Sequence, residues 1–261
     1  MTPRPESLHT DSRLVAAVRP SPNVGERRAG CRPSLIVLHY TGMSTAAKAI
    51  HWLSHPDSKV SCHYVVDEAG VITQMVPEAS RAWHAGTSHW AGETDINSAS
   101  IGIEIQNPGH ANGYPDFPPA QMQAIAALCR DIMGRRAIPP EGVLAHSDVA
   151  PGRKIDPGEK FDWAALAQAG VGHWVAPVPP DCGCAAYDLG DEGPDIAEAQ
   201  ALLRAYGYDV ETHGRFDERT RKVVRAFQQH FRQACADGRL DAATLDTLRR
   251  LVAALPVCAV S

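Results

Sequence analysis

Residues 100–106 of the chain read SIGIEIQ, and residues 34–39 read SLIVLH. In the first stretch the isoleucines alternate with Gly102 and Glu104, and this period of two is typical of a β-strand. It places the isoleucines on one face and Glu104 on the other. The second stretch is almost continuously apolar, which predicts a strand buried on both faces. Both stretches therefore predict strands of a sheet.

The elements around these strands predict an α/β (α+β) fold with a mixed central sheet flanked by helices. A helical segment is predicted at residues 45–53. Residues 62–66 and 71–76 are strand-like runs separated by Asp-Glu-Ala-Gly, which indicates a hairpin. A short strand at 143–145 and a closing helix at 161–169 follow. Ahead of that short strand, a helical period relates the apolar residues Met122, Ile125, Ala126, Cys129, Ile132 and Met133.

Changes in composition divide the chain into four parts. Residues 1–30 are rich in Pro, Ser and Arg without periodicity, which predicts a loose N-terminal arm. Residues 31–172 form the predicted α/β domain, and 173–192, with several prolines and glycines, form a linker. Residues 193–258 contain three amphipathic segments, which predict a small three-helix domain. Asp217 and Asp241 stand where the N-caps of two of these helices belong.

The bulk composition restricts the possible partners and compartments. The formal charge of −5 at pH 7 gives no reason to expect nucleic acid as a partner. No apolar stretch is long enough to span a bilayer, and the N-terminus lacks the apolar core of a secretory signal. Seven cysteines cannot all pair within one chain, which favours reduced thiols and hence the cytoplasm. The alternative is the periplasm, if a removed signal precedes this chain.

A candidate catalytic constellation lies at strand ends of the α/β domain. It comprises His39, Glu104, His146, Lys154 and Asp156. Two histidines and one carboxylate are typical of catalytic zinc, because three protein ligands leave the fourth position for water. A glutamate can then act as general acid and base, and an ammonium group can stabilise an oxyanion. Twelve histidines offer many such triples, so spacing alone leaves the choice open.

Five ordered motifs between residues 33 and 163 resemble the type-2 N-acetylmuramoyl-L-alanine amidases, which are related to bacteriophage lysozyme-like amidases and to peptidoglycan recognition proteins. They are LIVLHYTGM, VSCHYVVDEAG, AWHAG, SIGIEIQNPG and AHSDVAPGRKIDPG. The resemblance implies one Zn²⁺ per chain with His39, His146 and Asp156 as ligands. It also implies a catalytic acid/base at Glu104 and an electrophilic role for Lys154.

Other residues of these motifs are weaker candidates. His63, Trp83 and His84 are predicted substrate contacts, although structural roles suit each of them. Asp148, two residues after His146, is a rival carboxylate ligand, but the resemblance favours Asp156.

The tail resembles the three-helix peptidoglycan-binding domain of bacterial hydrolases. The resemblance rests on GPDIAEAQALLRAYGYD, HGRFDERTRKVVRAFQQHF and DGRLDAATLDTL, with His213 in place of the usual acidic residue. The implied activity is hydrolysis of the amide between the lactyl group of MurNAc, or anhydro-MurNAc, and L-Ala. The expected partners are peptidoglycan fragments or the polymer. The alternative hypothesis is a non-catalytic peptidoglycan sensor or recruiter.

Overall fold

The computed structural model describes residues 10–179 and 186–256. Cys182, Cys184 and Cys258 lie outside these residues, as do the start of the predicted arm and the middle of the predicted linker. The chain divides into two compact units: Met1–His84 with Asn97–Ile138, and Ala85–Ile96 with Pro139–Ser261.

The first unit contains a mixed sheet. Its two long strands, β3 (Leu35–Tyr40) and β7 (Ser100–Ile105), run parallel. The short strand β4 (Tyr64–Val66) pairs parallel to β7 and antiparallel to β5 (Ile72–Gln74). With β1 (Ala17–Val18) parallel to β5, these strands lie in the order β1-β5-β4-β7-β3. The α/β class and the mixed sheet predicted from the sequence are confirmed.

The sequence pattern explains why these strands are central. Residues 35–38 and the isoleucines of β7 are buried, with an exposed fraction of 9% for Leu35 and 0% for the others. Burial of roughly 1.5–3 kcal/mol per large aliphatic side chain makes this sheet the core of the unit. Glu104 is half-buried, as the alternation along β7 requires.

Two longer helices and one short helical turn accompany these strands. Helix α1 (Ala46–Leu53) begins after Thr45, whose hydroxyl accepts the backbone N–H of Lys48. A short helical turn, α2 (Ile96–Ala99), precedes β7. Helix α3 (Pro119–Arg136) starts with proline and ends at Ala137 in the left-handed conformation. Its predicted apolar stripe is buried except for Met133, which is half-buried.

Part of the predicted loose arm is ordered. In addition to β1, β2 (Val24–Gly25) pairs antiparallel with β6 (Arg81–Ala82). Ser21 donates its hydroxyl to Leu53 O, and the Asn23 amide donates to His55 O and Val60 O. The prediction is therefore wrong for residues 17–25, because hydrogen bonds of short polar side chains hold this segment and leave no apolar periodicity to detect.

The second unit joins the end of the α/β region to the tail. It contains β8 (Val143–Ala145), α4 (His146–Val149) and α5 (Trp163–Gln168). The tail, called the bundle below, has helices α6 (Pro194–Tyr206), α7 (Glu218–Phe231) and α8 (Ala242–Ala253), with an antiparallel ribbon of β9 (Ala186–Tyr187) and β10 (Leu240–Asp241).

The bundle begins two of its helices where the sequence indicates. Asp217 and Asp241 accept the N–H groups of Thr220 and Thr244 at 2.7 Å, so both predicted N-caps are confirmed.

Packing does not divide the chain at the predicted linker, because residues 139–172 cluster with the tail. Within residues 10–179 and 186–256, no helix has the length and apolar character needed to cross a membrane.

Candidate metal centre

His39 and Glu104 occupy paired positions on adjacent strands. β3 and β7 run parallel, and their register sets His39 opposite Glu104. Residues directly opposite one another in a sheet project to the same face. The imidazole and the carboxylate therefore share one face near the carboxyl ends of both strands, where His39 is buried and Glu104 half-buried. The sheet thus holds a carboxylate beside a candidate metal ligand.

His84 contacts the ring of His39. Its Nδ1 lies 3.0 Å from His39 Nε2, and its Nε2 lies 3.2 Å from the Ser100 hydroxyl. The His84 ring sits over Gly102, where an added Cβ would come within 2.4 Å of Cγ. A glycine in β7 therefore makes room for the imidazole. His84, predicted from the motifs to contact substrate, lies against the ring of His39.

His146 and Asp156 are brought together by the turn after β8. His146 Nδ1 lies 3.0 Å from Asp156 Oδ2, and the backbone N–H of Ser147 donates to Asp156 O. His146 Nε2 lies 3.1 Å from Ala85 O. His146 and Asp156 are 2% and 6% exposed, so both side chains are largely shielded from solvent.

The three residues predicted as metal ligands form one group. One ligand atom each of His39, His146 and Asp156 lies within 4.8 Å of the other two. Ligands about 2.0–2.2 Å from a tetrahedral zinc are roughly 3.3–3.6 Å apart, a spacing within the 4.8 Å limit of this group. Two imidazole nitrogens and one carboxylate oxygen suit zinc, and they leave one tetrahedral position open. The residues present therefore fit a zinc ion.

The rival ligand Asp148 is engaged elsewhere. Its Oδ2 accepts the backbone N–H of Ala145 at 2.7 Å and lies 2.7 Å from His230 Nδ1. Its Oδ1 accepts the hydroxyl of Tyr208 at 2.6 Å. These bonds use both oxygens, which supports Asp156 as the carboxylate of the metal group.

Lys154 lies in a turn rather than in an extended segment. Its N–H donates to Ala150 O, and a bridge links Lys154 to Pro151 across a turn. Lys154 is half-buried and lines a cavity of about 270 Å³ together with Arg221 and Arg225 of α7.

The other two predicted substrate contacts differ in exposure. His63 is 0% exposed; its Nδ1 accepts the N–H of Gly102, and its Nε2 lies 3.2 Å from Ser80 O. Burial, reinforced by the charge of Arg27, lowers the pKa of His63 to about 3. A neutral, enclosed imidazole disagrees with the predicted substrate contact. Trp83 is half-buried and keeps accessible surface.

Arg153 is a charged neighbour of the site that the motifs did not single out. Its guanidinium donates to Ala85 O and Thr87 O, and Nη2 lies 3.5 Å from His146 Nε2. It thus holds the backbone that His146 also contacts. Its place between Gly152 and Lys154 was the available signal, but an arginine in a turn usually indicates only solvated surface.

Comparison with known proteins identifies the family. Residues 29–159 match the family model described as N-acetylmuramoyl-L-alanine amidase, and residues 192–248 match a model of a peptidoglycan binding domain. The chain is 40% identical over 229 residues to the N-acetylmuramoyl-L-alanine amidase AmiD of Escherichia coli (strain K12), covering 82% of this chain and 80% of that protein. The chain belongs to the N-acetylmuramoyl-L-alanine amidase family.

Solved structures of the family extend the similarity to both matched segments of this amidase. The complex of E. coli AmiD with the substrate anhydro-N-acetylmuramic acid-L-Ala-D-gamma-Glu-L-Lys aligns with a TM-score of 0.72 at 35% identity, covering 88% of this chain and 97% of that one. AmpDh3 from Pseudomonas aeruginosa, in complex with anhydromuramic pentapeptide, aligns with a TM-score of 0.71 at 31% identity, covering 87% and 93%.

These findings confirm the resemblance predicted from the five motifs and establish the chain as an amidase rather than only a binding protein. The family is typically zinc-dependent, and this amidase has the corresponding His–His–Asp group. The match of the tail to a peptidoglycan binding domain agrees with peptidoglycan fragments as partners.

Proposed function

We propose that this amidase uses one Zn²⁺ per chain to hydrolyse the amide between the lactyl group of MurNAc, or anhydro-MurNAc, and L-Ala. The observation that carries the proposal is the group of His39, His146 and Asp156, with Glu104 registered opposite the first of them. A metal site alone would suit a binding protein. A carboxylate on the same face supplies the proton transfer that hydrolysis needs.

The chemistry divides between the metal and the side chains. When bound, zinc supplies Lewis-acid polarisation of the carbonyl and activation of water. Glu104 accepts a proton from the water that attacks the lactyl carbonyl carbon. As the C–N bond breaks, Glu104 passes this proton to the nitrogen of L-Ala. The products are a lactyl carboxylate and a peptide with a free amino group. His84 holds the ring of His39 throughout.

Lys154 and Trp83 complete the proposed site. Lys154 stabilises the negative charge that develops on the carbonyl oxygen during attack. Support comes from its place in the turn that leads to Asp156. Trp83 offers partly exposed aromatic surface for the sugar or the peptide. His84 keeps a second proposed role as a substrate contact, since 9% of its surface is accessible.

The preferred substrate is proposed to be a soluble anhydro-muropeptide. AmiD and AmpDh3, the two relatives aligned above, are seen with anhydro-muramyl peptides. The bundle supports a further affinity for polymeric wall, because it matches a peptidoglycan binding domain. Comparing initial rates on intact sacculi and on soluble anhydro-muropeptides separates the two substrate forms.

The compartment is proposed to be the cytoplasm, with the periplasm as the alternative. Cys31, Cys62, Cys129 and Cys235 are free thiols, which suit a reducing environment. Cell fractionation of the full-length protein, expressed from its own gene, distinguishes the two compartments.

Product analysis tests the proposed reaction. The protein is incubated with anhydro-MurNAc-tripeptide, and the products are identified by chromatography with mass detection. We expect equal amounts of anhydro-MurNAc and a tripeptide with a free L-Ala amine, and no such release by Glu104→Ala. Tight binding of the intact muropeptide without peptide release would contradict the proposal and would favour a sensor.

A further inference from the structure

Asp148 is a fully buried carboxylate on the same helical turn as His146. Its exposed fraction is 0%. It accepts three short hydrogen bonds, from Ala145 N–H, from the Tyr208 hydroxyl and from His230 Nδ1. Only the first of these comes from its own segment. Tyr208 directly follows α6 and His230 lies on α7, so the bundle supplies the other two donors.

The two bundle donors are held in place and remain donors. The ring of His230 stacks between Trp163 and Phe231, with centroids 3.6 Å and 3.8 Å away, and this fixes the direction of its Nδ1. Burial, followed by the negative charge of Asp148, raises the pKa of Tyr208 well above its usual value, so its hydroxyl stays protonated. A buried carboxylate without such partners would be strongly destabilising.

The same carboxylate fixes the backbone around His146. Asp148 Oδ2 holds the N–H of Ala145, the residue before His146. On the other side, Ser147 N–H donates to Asp156 O, and Ala150 N–H donates to His146 O. Because α4 is a single turn, a shift of Asp148 moves the backbone that carries His146 and changes its distance to Asp156.

We propose that Tyr208 and His230 of the bundle are positioning residues for the metal centre and act through Asp148 on His146. The inference rests on the proposed function in one respect, namely that His146 is a metal ligand. The bundle then has a second role besides wall binding, because it supports a metal ligand of the catalytic domain. The amidase family model matches residues 29–159 and does not include the bundle. Groups that orient metal ligands typically change metal affinity about 10- to 100-fold when removed.

Paired substitutions at His230 separate positioning from packing. His230→Phe keeps the stacked ring and removes the donor, whereas His230→Asn places an amide N–H near the Nδ1 position and loses the stacking. Tyr208→Phe deletes a single oxygen and leaves the fold the least disturbed. The exposed pair of Arg219 and Asp209, also in the bundle, provides the control Arg219→Ala.

The measurement is the zinc dissociation constant of each full-length variant by competition with a chromophoric chelator, alongside its thermal midpoint. We expect about tenfold weaker zinc binding for His230→Phe and for Tyr208→Phe. His230→Asn is expected to recover most of the affinity despite a lower midpoint, and Arg219→Ala to bind like the original protein.

Several results would overturn the inference. Unchanged zinc affinity in folded His230→Phe and Tyr208→Phe would show that the contacts serve stability alone. Equal losses in His230→Asn and His230→Phe would point to packing instead of the hydrogen bond. If the unsubstituted protein neither binds zinc nor releases peptide, the proposed function fails first. Normal zinc binding and hydrolysis with insensitive variants contradict only the positioning role.

Discussion

Glu104 and His39 occupy paired places on adjacent strands but differ in burial. His39 is enclosed and contacts His84, which suits a fixed metal ligand. Glu104, its register neighbour, is half-buried. The proposed mechanism requires Glu104 to gain and lose a proton, whereas His39 must stay neutral to bind zinc.

Glu104→Gln tests the proton-transfer role. The amide keeps the size of the side chain but cannot accept the proton from water, so kcat is expected to fall by about 10²–10⁴. Zinc content should be unchanged, because Glu104 is outside the ligand group. The exposed Glu68→Gln is the matched control. Steady-state kinetics with metal analysis provide both readouts, and a Glu104→Gln variant with normal kcat would remove Glu104 from the mechanism.

His63 gives the first unit a pH-dependent stability. Its pKa is about 3 in the folded protein, against 6.5 for the free group, because burial and Arg27 disfavour the charged ring. Its neutral form favours folding fully above pH 6.5, and this contribution is lost as the pH falls from 6.5 towards 3. Between pH 7.5 and 5 the loss is about 2 kcal/mol. Urea unfolding at both pH values measures it.

The variant His63→Gln provides the comparison for that measurement. Glutamine does not titrate, so its free energy of unfolding should change less between pH 7.5 and 5 than that of the unsubstituted protein. The variant is expected to be less stable at pH 7.5, since it fits the Gly102 and Ser80 hydrogen bonds less well. An equally steep pH dependence in both proteins would assign the effect to other groups.

At the scale of elements, β7 combines buried isoleucines, the carboxylate of Glu104 and space at Gly102 for a neighbouring ring. The alternation of SIGIEIQ predicted both its buried face and the opposite placement of Glu104. The reason for Gly102 could not be predicted, because the ring it accommodates belongs to His84, distant in sequence from this strand position. Local periodicity reports which face a residue occupies but not which side chain arrives there.

Gly102→Ala tests this close approach. The new Cβ would lie 2.4 Å from His84 Cγ, so the imidazole must move away from His39. We expect a loss of about 1–3 kcal/mol in unfolding free energy and weaker zinc binding. Gly134→Ala on α3 is the control, because its Cβ would meet no atom within 4 Å. Calorimetry and chelator competition measure both effects. A Gly102→Ala protein as stable as the Gly134→Ala control, with unchanged zinc affinity, would contradict the account.

At the scale of the whole molecule, the two segments matched by family models do not correspond to the two compact units. The sequence predicted the bundle and two of its N-caps from apolar spacing and from Asp217 and Asp241. It missed that residues 139–172 pack with the tail, since the linking groups are single polar residues in separate segments. No periodic pattern in the sequence marks Asp148, Tyr208 or His230. Their shared hydrogen bonds become visible only in the folded structure.

The candidate metal ligands likewise could not be identified from sequence spacing alone. His39 is separated from His146 and Asp156 by about a hundred residues, and the chain has twelve histidines. Five ordered motifs selected this triple, and the structure places its ligand atoms within 4.8 Å of one another. The turn that holds Lys154 depends on backbone hydrogen bonds to Ala150 O. No residue pattern in the sequence predicted these bonds.

The most direct test of the central claim measures hydrolysis of anhydro-MurNAc-L-Ala-D-γ-Glu-L-Lys as a function of zinc loading. The protein is stripped with a chelator, its zinc content is determined, and the metal is returned in steps while peptide release is followed by mass spectrometry. We predict no release by the stripped protein and activity that rises linearly to a plateau at one zinc per chain. Full peptide release by protein that contains no zinc would contradict the account.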